Sequence, residues 1–341
     1  ASDVYKRQIL ALLQAPHNRR AAREVAAAAR RARPDAVHVH NTWFATSPSV
    51  FPALSDAVDG PVVMTLHNFR LVCANGLLLR DGAPCELCVG TGPWKAVRYG
   101  CFRDSRALSI PAAATIAINR RRASWTDNVD RFFALSEFAR TKLIAGGLPA
   151  GKVGVKANFV PDPGPRARPA AESNKLIYVG RVLPGKGLDT LLDGWESAAP
   201  SDLELVVAGD GPQLEELRAR NLPGVTMLGR VDHSAVVDLM LEARALLFPS
   251  EFYENMPMTL LEAFSAGLPV MGSDHGSMTE ILSPFGDEWL VPPSAANVWA
   301  ERLPLLADNA AVAAASATAR RLWQELYGPE RSLRHLEAAY R

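Results

Sequence analysis

Short apolar runs alternate with amphipathic stretches along most of the chain. In the first half, such runs predict strands at residues 36–40, 61–67, 131–136 and 153–159. In the second half, strands are predicted at residues 175–180, 203–209, 225–229, 245–250 and 268–273. Helical segments lie between several of these runs. Two alternating series of this kind predict an α/β fold made of two doubly wound domains.

A proline-rich segment separates the two series. It occupies residues 160–173 and reads VPDPGPRARPAAES, which is typical of a linker. We therefore predict a first domain over residues 9–160, a linker over 161–173 and a second domain over 174–325. Residues 326–341 predict a C-terminal helix that could pack back on the first domain.

Composition and charge exclude several classes of protein. The chain has 341 residues, of which 48% are hydrophobic, and a net charge of +1, so nothing indicates nucleic-acid binding or a strongly basic membrane surface. It contains no apolar run of about 18 residues, the length that a membrane-spanning helix needs. Four cysteines do not form a disulfide framework in a chain of this length, so a reducing cytoplasm is the expected location.

One segment places two carboxylates among apolar residues. The stretch SEFYENMPMTLLEAFSAGLPV (residues 250–270) follows an apolar run, and Pro257 suits the first turn of a helix. Glu254 is therefore expected in the loop at the carboxyl end of a strand, and Glu262 in the second turn of the following helix. Open parallel sheets bind ligands at that end, and the backbone amides within residues 256–259 would suit an anion there.

A second segment combines glycines with two cations. In YVGRVLPGKGLDTLL (residues 178–192), Arg181 ends a predicted strand and Lys186 comes just before a helix. The glycines that would let the backbone turn between them are Gly180, Gly185 and Gly187. Two cations beside a helix amino terminus predict a diphosphate site, although a solvated loop with surface charges fits the same pattern. Asp210, in the later GDGP turn, fits a turn residue better than a catalyst.

Together these segments resemble the retaining glycosyltransferases of family four, the group 1 glycosyl transferases. In the second half the resemblance is carried by VGR with KG (Gly180, Arg181, Lys186, Gly187), GDGP (209–212), LGRV (228–231), Glu254, EAFSAGLPV (262–270) and HGSMTEIL (275–282). In the first half it is carried by RPDAVHVHNTW (33–43), PVVMTLHNFRL (61–71), ALSEFARTKLIAGGLP (134–149) and VKANFVPDP (155–163). The resemblance implies the GT-B fold, in which two Rossmann-like domains face a central cleft.

The resemblance also implies roles for individual residues. Arg181 and Lys186 would hold the donor diphosphate and stabilise it as it leaves. Glu254 would contact hydroxyls of the donor sugar, and His67 would lie at the cleft, close to the reacting carbon. Glu262 would accept hydrogen bonds from the ribose hydroxyls, which gives a physical reason for a carboxylate in an apolar segment. The implied catalytic residues are thus Arg181, Lys186, Glu254 and His67.

The remaining implied donor contacts are mostly backbone groups. Gly180 would be part of the donor-binding site, and backbone near Val231 would meet the nucleobase. Amides of the segment that follows Glu254 would bind the sugar or the distal phosphate, and its residues are Asn255, Met256, Pro257 and Met258. In the family this segment is rich in glycine.

The implied activity is sugar transfer from a nucleotide-sugar donor to a glycan or lipid-linked acceptor, with retention of anomeric configuration. It would need no metal. The departing phosphate would take the acceptor proton. Two alternatives stay open: a non-catalytic GT-B protein that binds nucleotide sugars, and a sugar-nucleotide epimerase of similar architecture. Paired carboxylates also occur in glycoside hydrolases, but phosphate-binding cations have no use there.

The amino-terminal residues predict a truncated chain. Asp3 to Gln8 read DVYKRQ, which matches the translation of a sequencing-adaptor end, so residues 1–8 are expected to be adaptor-derived. The first domain of the family usually opens with a strand and a glycine-rich loop, and neither is evident before residue 36. We therefore expect an incomplete first domain.

Three further features allow more than one interpretation. His38 fits an ordinary strand residue, whereas His40 and His67 both fall at carboxyl ends of predicted strands. The cysteines could hold a structural zinc, form a redox pair, or be unconnected buried thiols; they are Cys73, Cys85, Cys88 and Cys101. A helical segment that ends in Arg120, Arg121 and Arg122 could make a peripheral contact at the inner face of a membrane, but a solvated helix end is the preferred interpretation.

Overall fold

The chain divides into two compact units in a computed structural model that describes residues 11–43 and 46–341. Unit 1 comprises the residues up to 80, residues 85–156 and residues 333–341, and unit 2 comprises residues 81–84 and 157–332. The expected adaptor-derived residues 1–8 lie outside the described part.

Unit 1 is built on a four-stranded parallel sheet in the order β1-β2-β5-β6. Its strands are β1 (Val37–Val39), β2 (Val62–Leu66), β5 (Arg131–Ala134) and β6 (Val153–Val155). Two short strands, β3 (Leu79–Arg80) and β4 (Ala83–Pro84), follow β2 along the chain, and by the division above β3 falls in unit 1 and β4 in unit 2. Its first helices are α1 (Arg19–Ala32), α2 (Val50–Ser55), α3 (Lys95–Tyr99), α4 (Arg106–Arg121) and α5 (Glu137–Ala145). Every residue of β2 is buried, as expected for a central strand covered on both faces.

Unit 2 is built on a six-stranded parallel sheet in the order β12-β11-β10-β7-β8-β9. Its strands are β7 (Lys175–Val179), β8 (Glu204–Ala208), β9 (Val225–Gly229), β10 (Ala245–Phe248), β11 (Val270–Ser273) and β12 (Leu290–Val291). Its helices are α6 (Leu188–Ala198), α7 (Leu214–Arg218), α8 (His233–Glu242), α9 (Met258–Ser265), α10 (Ser277–Leu282), α11 (Ala296–Arg302) and α12 (Asn309–Leu322). The predicted pair of doubly wound α/β domains is therefore confirmed.

The last helix, α13 (Pro329–Tyr340), belongs to both units, since residues from 333 onward are part of unit 1. Ala339 forms a buried cluster with Val63 of β2 and Phe133 of β5, and Leu336 and Tyr340 pack against that cluster. The carboxyl-terminal turns of α13 thus cover one face of the unit 1 sheet.

The proline-rich segment is part of unit 2, and the division between the units falls after Lys156, earlier than predicted. Arg166 donates to the carbonyl oxygen of Met240 at 2.8 Å and also to that of Ala243. Asp162 forms an ion pair with Arg320. Composition predicts a linker here, but these side-chain contacts hold the segment on unit 2.

Candidate active site

A pocket of about 200 Å³ opens in unit 2 at the carboxyl ends of the adjacent strands β7 and β10. Its lining residues are Tyr178, Val179, Gly180, Lys186, Phe248, Pro249, Ser250, Glu254, Pro257, Met258 and Thr259. The carboxyl ends of parallel strands are where doubly wound sheets bind their ligands. The pocket brings together five residues proposed from the sequence, namely Gly180, Lys186, Glu254, Pro257 and Met258.

Lys186 and Glu254 form an ion pair in this pocket between Nζ and Oε1. Ser250 Oγ donates a second hydrogen bond to the same Glu254 oxygen at 2.7 Å. The relative solvent exposure of the side chain is only 23% for Lys186 and 17% for Glu254, so solvent screens the interaction less than at an open surface. A diphosphate in this pocket would compete with Glu254 for the Lys186 ammonium group.

Glycines determine the backbone path around Lys186. Gly185 and Gly187 have φ of +82° and +69°. A Cβ atom at Gly187 would lie 2.0 Å from the carbonyl oxygen of Pro249, and one at Gly185 would lie 2.0 Å from the ring of Phe252. Only glycine therefore lets this loop pass so close to the segment after β10, and that approach places Lys186 beside Glu254.

The GDGP turn (209–212) also passes close to the segment that leads from β7 into this loop. A Cβ at Gly209 would lie 1.8 Å from the carbonyl oxygen of Gly180, and one at Gly211 would lie 2.0 Å from that of Val182. Asp210 Oδ1 accepts a hydrogen bond from the Gly211 amide at 2.7 Å, as a turn residue does.

Other predicted donor contacts do not line this pocket. Arg181 is exposed, and its guanidinium makes no hydrogen bond or ion pair to any described residue. Only its carbonyl oxygen is engaged, accepting from Tyr178 Oη at 2.8 Å. Val231, Asn255 and Met256 are also absent from the lining residues.

Glu262 lines a second, more apolar pocket of about 130 Å³ between α8, α9 and residues 160–163. Its Oε1 lies 4.0 Å from His233 Nδ1. Burial raises the pKa of the Glu262 carboxyl, and the nearby His233 lowers it by a smaller amount. Met258 of the first pocket precedes Glu262 by one helical turn of α9, so the two pockets face neighbouring positions of one helix.

Unit 1 groups three histidines at the carboxyl ends of β1 and β2. His40 Nδ1 lies 2.9 Å from His67 Nε2, and the rings of His38 and His40 stack with their centroids 4.3 Å apart. The ring nitrogens of His38 contact Tyr340 Oη at 2.6 Å and Thr65 Oγ1 at 2.8 Å. His38 thus fits its expected structural role, whereas Tyr340 carries no sequence signal because 302 positions separate it from His38.

Two of these histidines, His38 and His67, have lowered pKa values. Burial, together with His40, Lys156 and His67, lowers the pKa of His38 to about 4. Burial also lowers the pKa of His67, with smaller contributions from His40 and Lys156. Burial therefore favours the neutral form of the His67 imidazole.

The four cysteines lie in the segment between β2 and α4, and no disulfide joins them in the described structure. Burial raises the pKa of the Cys88 thiol to about 11, and the neighbouring Cys73, Cys101 and Cys85 contribute to the shift. Within residues 11–43 and 46–341, no three His, Cys, Asp or Glu side chains are arranged to hold a metal ion. Zinc binding by the cysteines stays a prediction.

None of the helices in the described ranges combines the length and the apolar composition that crossing a bilayer requires.

Comparisons with known proteins agree with this architecture. Sucrose-phosphate synthase from Thermosynechococcus elongatus superposes with a TM-score of 0.68 at 20% identity, over 92% of this chain and 75% of that one. HepE of Anabaena, solved in complex with UDP and glucose, superposes with a TM-score of 0.63 at 15% identity, over 93% and 80% of the two chains. The fold of the chain is thus GT-B, the class of two-domain glycosyltransferases that the two parallel-sheet units predict.

Family models identify the chain more closely. Residues 165–322 match glycosyl transferases group 1, and residues 2–158 match the glycosyl transferase 4-like domain. The chain therefore belongs to the group 1 glycosyltransferases, as its motifs indicate.

Two relatives illustrate the range of this family. The glycogen synthase of Mycobacterium tuberculosis H37Rv is 27% identical over 257 residues, 73% of this chain and 54% of that protein. The 2-deoxystreptamine N-acetyl-D-glucosaminyltransferase of Streptomyces fradiae is 28% identical over 281 residues, 76% of this chain and 59% of that protein. The chain thus spans little more than half the length of these relatives.

Proposed function

We propose that the chain transfers a sugar from a nucleotide-sugar donor to a glycan or lipid-linked acceptor, with retention of anomeric configuration. The observation that carries this proposal is the Lys186–Glu254 pair in the unit 2 pocket, one turn of α9 away from the pocket of Glu262. The Lys186 cation in the first pocket suits the diphosphate of one extended ligand, and the Glu262 carboxylate in the second pocket suits its ribose. Family membership and the UDP bound to HepE support a donor of this kind.

The proposed chemistry needs charge stabilisation more than covalent catalysis. The bond between the anomeric carbon and the phosphate oxygen breaks, and the electron pair leaves with the nucleoside diphosphate. Lys186 stabilises that developing charge from within the pocket, and Arg181 does so by turning its exposed side chain from outside the pocket lining towards the phosphates. The acceptor oxygen attacks the same face of the sugar, and its proton goes to the departing phosphate. No metal is needed, because the two side chains supply the positive charge.

Glu254 and His67 have complementary roles in this proposal. Glu254 accepts hydrogen bonds from hydroxyls of the donor sugar once the diphosphate occupies Lys186. His67 contributes an imidazole in its neutral form, because partial burial, with smaller contributions from His40 and Lys156, lowers its pKa.

Incubation with a panel of labelled nucleotide sugars and saccharide acceptors tests the proposal. We expect a labelled product whose anomeric configuration, measured by NMR, matches that of the donor. Transfer with inversion would contradict the retaining mechanism. Donor isomerisation without transfer would indicate an epimerase, and binding without turnover would indicate a non-catalytic module.

Replacing Glu262 by glutamine should weaken binding of a ribonucleoside diphosphate about tenfold, because a charged hydrogen bond to a hydroxyl contributes about 1.5–3 kcal/mol. Affinity for an isolated sugar phosphate should stay unchanged. Isothermal titration with both ligands measures the difference, and Glu242→Gln, on exposed α8 surface, is the matched control. Equal losses for both ligands would place Glu262 away from the ribose.

The ionisation of Glu262 should make the affinity for a nucleoside diphosphate depend on pH. The pKa of Glu262 is raised above its ordinary value, so the carboxylate is lost earlier than usual as the pH falls. Affinity for the nucleoside diphosphate should therefore fall as the pH drops through that raised pKa, and Glu262→Gln should remove this part of the pH dependence.

A further inference from the structure

A continuous series of contacts connects the C-terminal helix to His67 within unit 1. It begins at Tyr340 Oη, which lies 2.6 Å from His38 Nδ1. His38 stacks on His40 with an angle of 23° between the rings, and His40 Nδ1 lies 2.9 Å from His67 Nε2. Tyr340 is thus connected to His67 through two intervening rings.

Strand pairing explains why these side chains meet. His38 pairs with Val63 in the parallel register of β1 and β2, and Thr65 lies two residues further along β2, on the same face. Thr65 Oγ1 lies 2.8 Å from His38 Nε2, so both ring nitrogens of His38 have partners. A ring held at both nitrogens cannot flip without breaking two hydrogen bonds, and it offers His40 a fixed surface.

The contact between His40 and His67 needs such support. Both residues are only partly covered, so core packing alone does not fix either ring. In a hydrogen bond between two neutral imidazoles one nitrogen must donate and the other accept, so the contact couples the tautomers of the two rings. Buried Lys156 adds positive charge nearby, which disfavours imidazolium at His38 and His67.

We propose that Tyr340 is a positioning residue that holds the ring of His67, through His38 and His40, in one orientation. Its effect on sugar transfer rests on the proposed function, in which His67 takes part, whereas the positioning itself can be measured without any substrate.

The structural test compares Tyr340→Phe with Tyr99→Phe in chains labelled with ¹⁵N at histidine. Phenylalanine keeps the ring that packs against the cluster of Val63, Phe133 and Ala339 and removes only the hydroxyl. Tyr99 is also in unit 1, but its ring contacts Arg80 and Arg98. At neutral pH we expect Tyr340→Phe to change the ring ¹⁵N shifts of His38, His40 and His67, and Tyr99→Phe to leave them as in the parent chain. Unchanged His67 shifts in Tyr340→Phe would overturn the proposal.

The functional test uses a donor and acceptor that the parent chain converts. Tyr340→Phe should lower kcat by roughly threefold to tenfold, the effect of one ordinary hydrogen bond, with KM for the donor unchanged. If His67→Ala abolishes transfer while Tyr340→Phe keeps the full kcat, Tyr340 does not position His67 for catalysis and the proposal fails. If His67→Ala keeps the full kcat, the proposed function of His67 fails instead, and the ¹⁵N shifts still decide the positioning.

Discussion

Replacing Lys186 by alanine should lower the affinity of the chain for a nucleoside diphosphate about tenfold to a hundredfold. A hydrogen bond to a charged group contributes about 1.5–3 kcal/mol, and each 1.4 kcal/mol changes a dissociation constant about tenfold. The ammonium group is the one cation that lines the pocket at the ends of β7 and β10 among the described residues. Titration calorimetry with the diphosphate measures the effect directly.

The matched control for this variant is Lys175→Ala. Lys175 belongs to the same unit and also forms an ion pair, with Glu242 at 3.5 Å, but it lies outside the pocket lining. Its removal should leave the affinity within about twofold, since exposed ion pairs contribute about 0–1 kcal/mol. Equal affinities for Lys186→Ala and Lys175→Ala would show that the diphosphate binds elsewhere.

The loss of diphosphate affinity expected for Lys186→Ala has two contributions, and a second substitution at Glu254 allows them to be measured separately. In Lys186→Ala the diphosphate loses its cationic partner. The Glu254 carboxylate also stays in the pocket without its cation, so it would repel the diphosphate. The double variant Lys186→Ala with Glu254→Gln should therefore bind more tightly than Lys186→Ala alone. The size of that recovery measures the repulsion.

We could predict from the sequence at which end of the sheet the pocket lies, because two local signals coincide there. Apolar runs that end at Gly180 and Ser250 place two strand ends, and in a doubly wound sheet those ends share one edge. Lys186 and Glu254 each follow such a run within a few residues. Their positions therefore follow from chain connectivity, and the side chains do meet in the structure.

Contacts between distant parts of the chain could not be predicted in this way. Arg181 has the residue type for a phosphate contact, but its side chain is exposed and outside the pocket lining. Val160, Pro161 and Pro163 read as linker, yet they line the pocket of Glu262. The intervening Asp162 pairs with Arg320, which is far away in the sequence. Tyr340 reaches His38 only because α13 packs on the unit 1 sheet. Periodicity and local motifs carry no information about such packing.

Replacing Gly187 by alanine should destabilise unit 2 and also remove diphosphate binding. Its φ of +69° lies in the left-handed region, which costs a residue with a Cβ about 1–2 kcal/mol. The new Cβ would lie 2.0 Å from the carbonyl oxygen of Pro249, which is backbone and cannot rotate away. Forcing the two segments apart adds about 1–3 kcal/mol, as overpacking does elsewhere. The movement would also displace Lys186, the preceding residue, from Glu254.

Gly164→Ala is the control that isolates the conformational part of this cost. Gly164 also belongs to unit 2 and has a φ of +97°, but a Cβ there would have nothing within 4 Å. Both variants therefore carry a left-handed alanine, and only Gly187→Ala carries the collision with Pro249. We expect urea unfolding to show the larger loss for Gly187→Ala, and calorimetry to show loss of diphosphate affinity for that variant alone. Equal unfolding midpoints for the two would mean that the loop can move away from Pro249 at little cost, and the close approach would then not be what holds Lys186 beside Glu254.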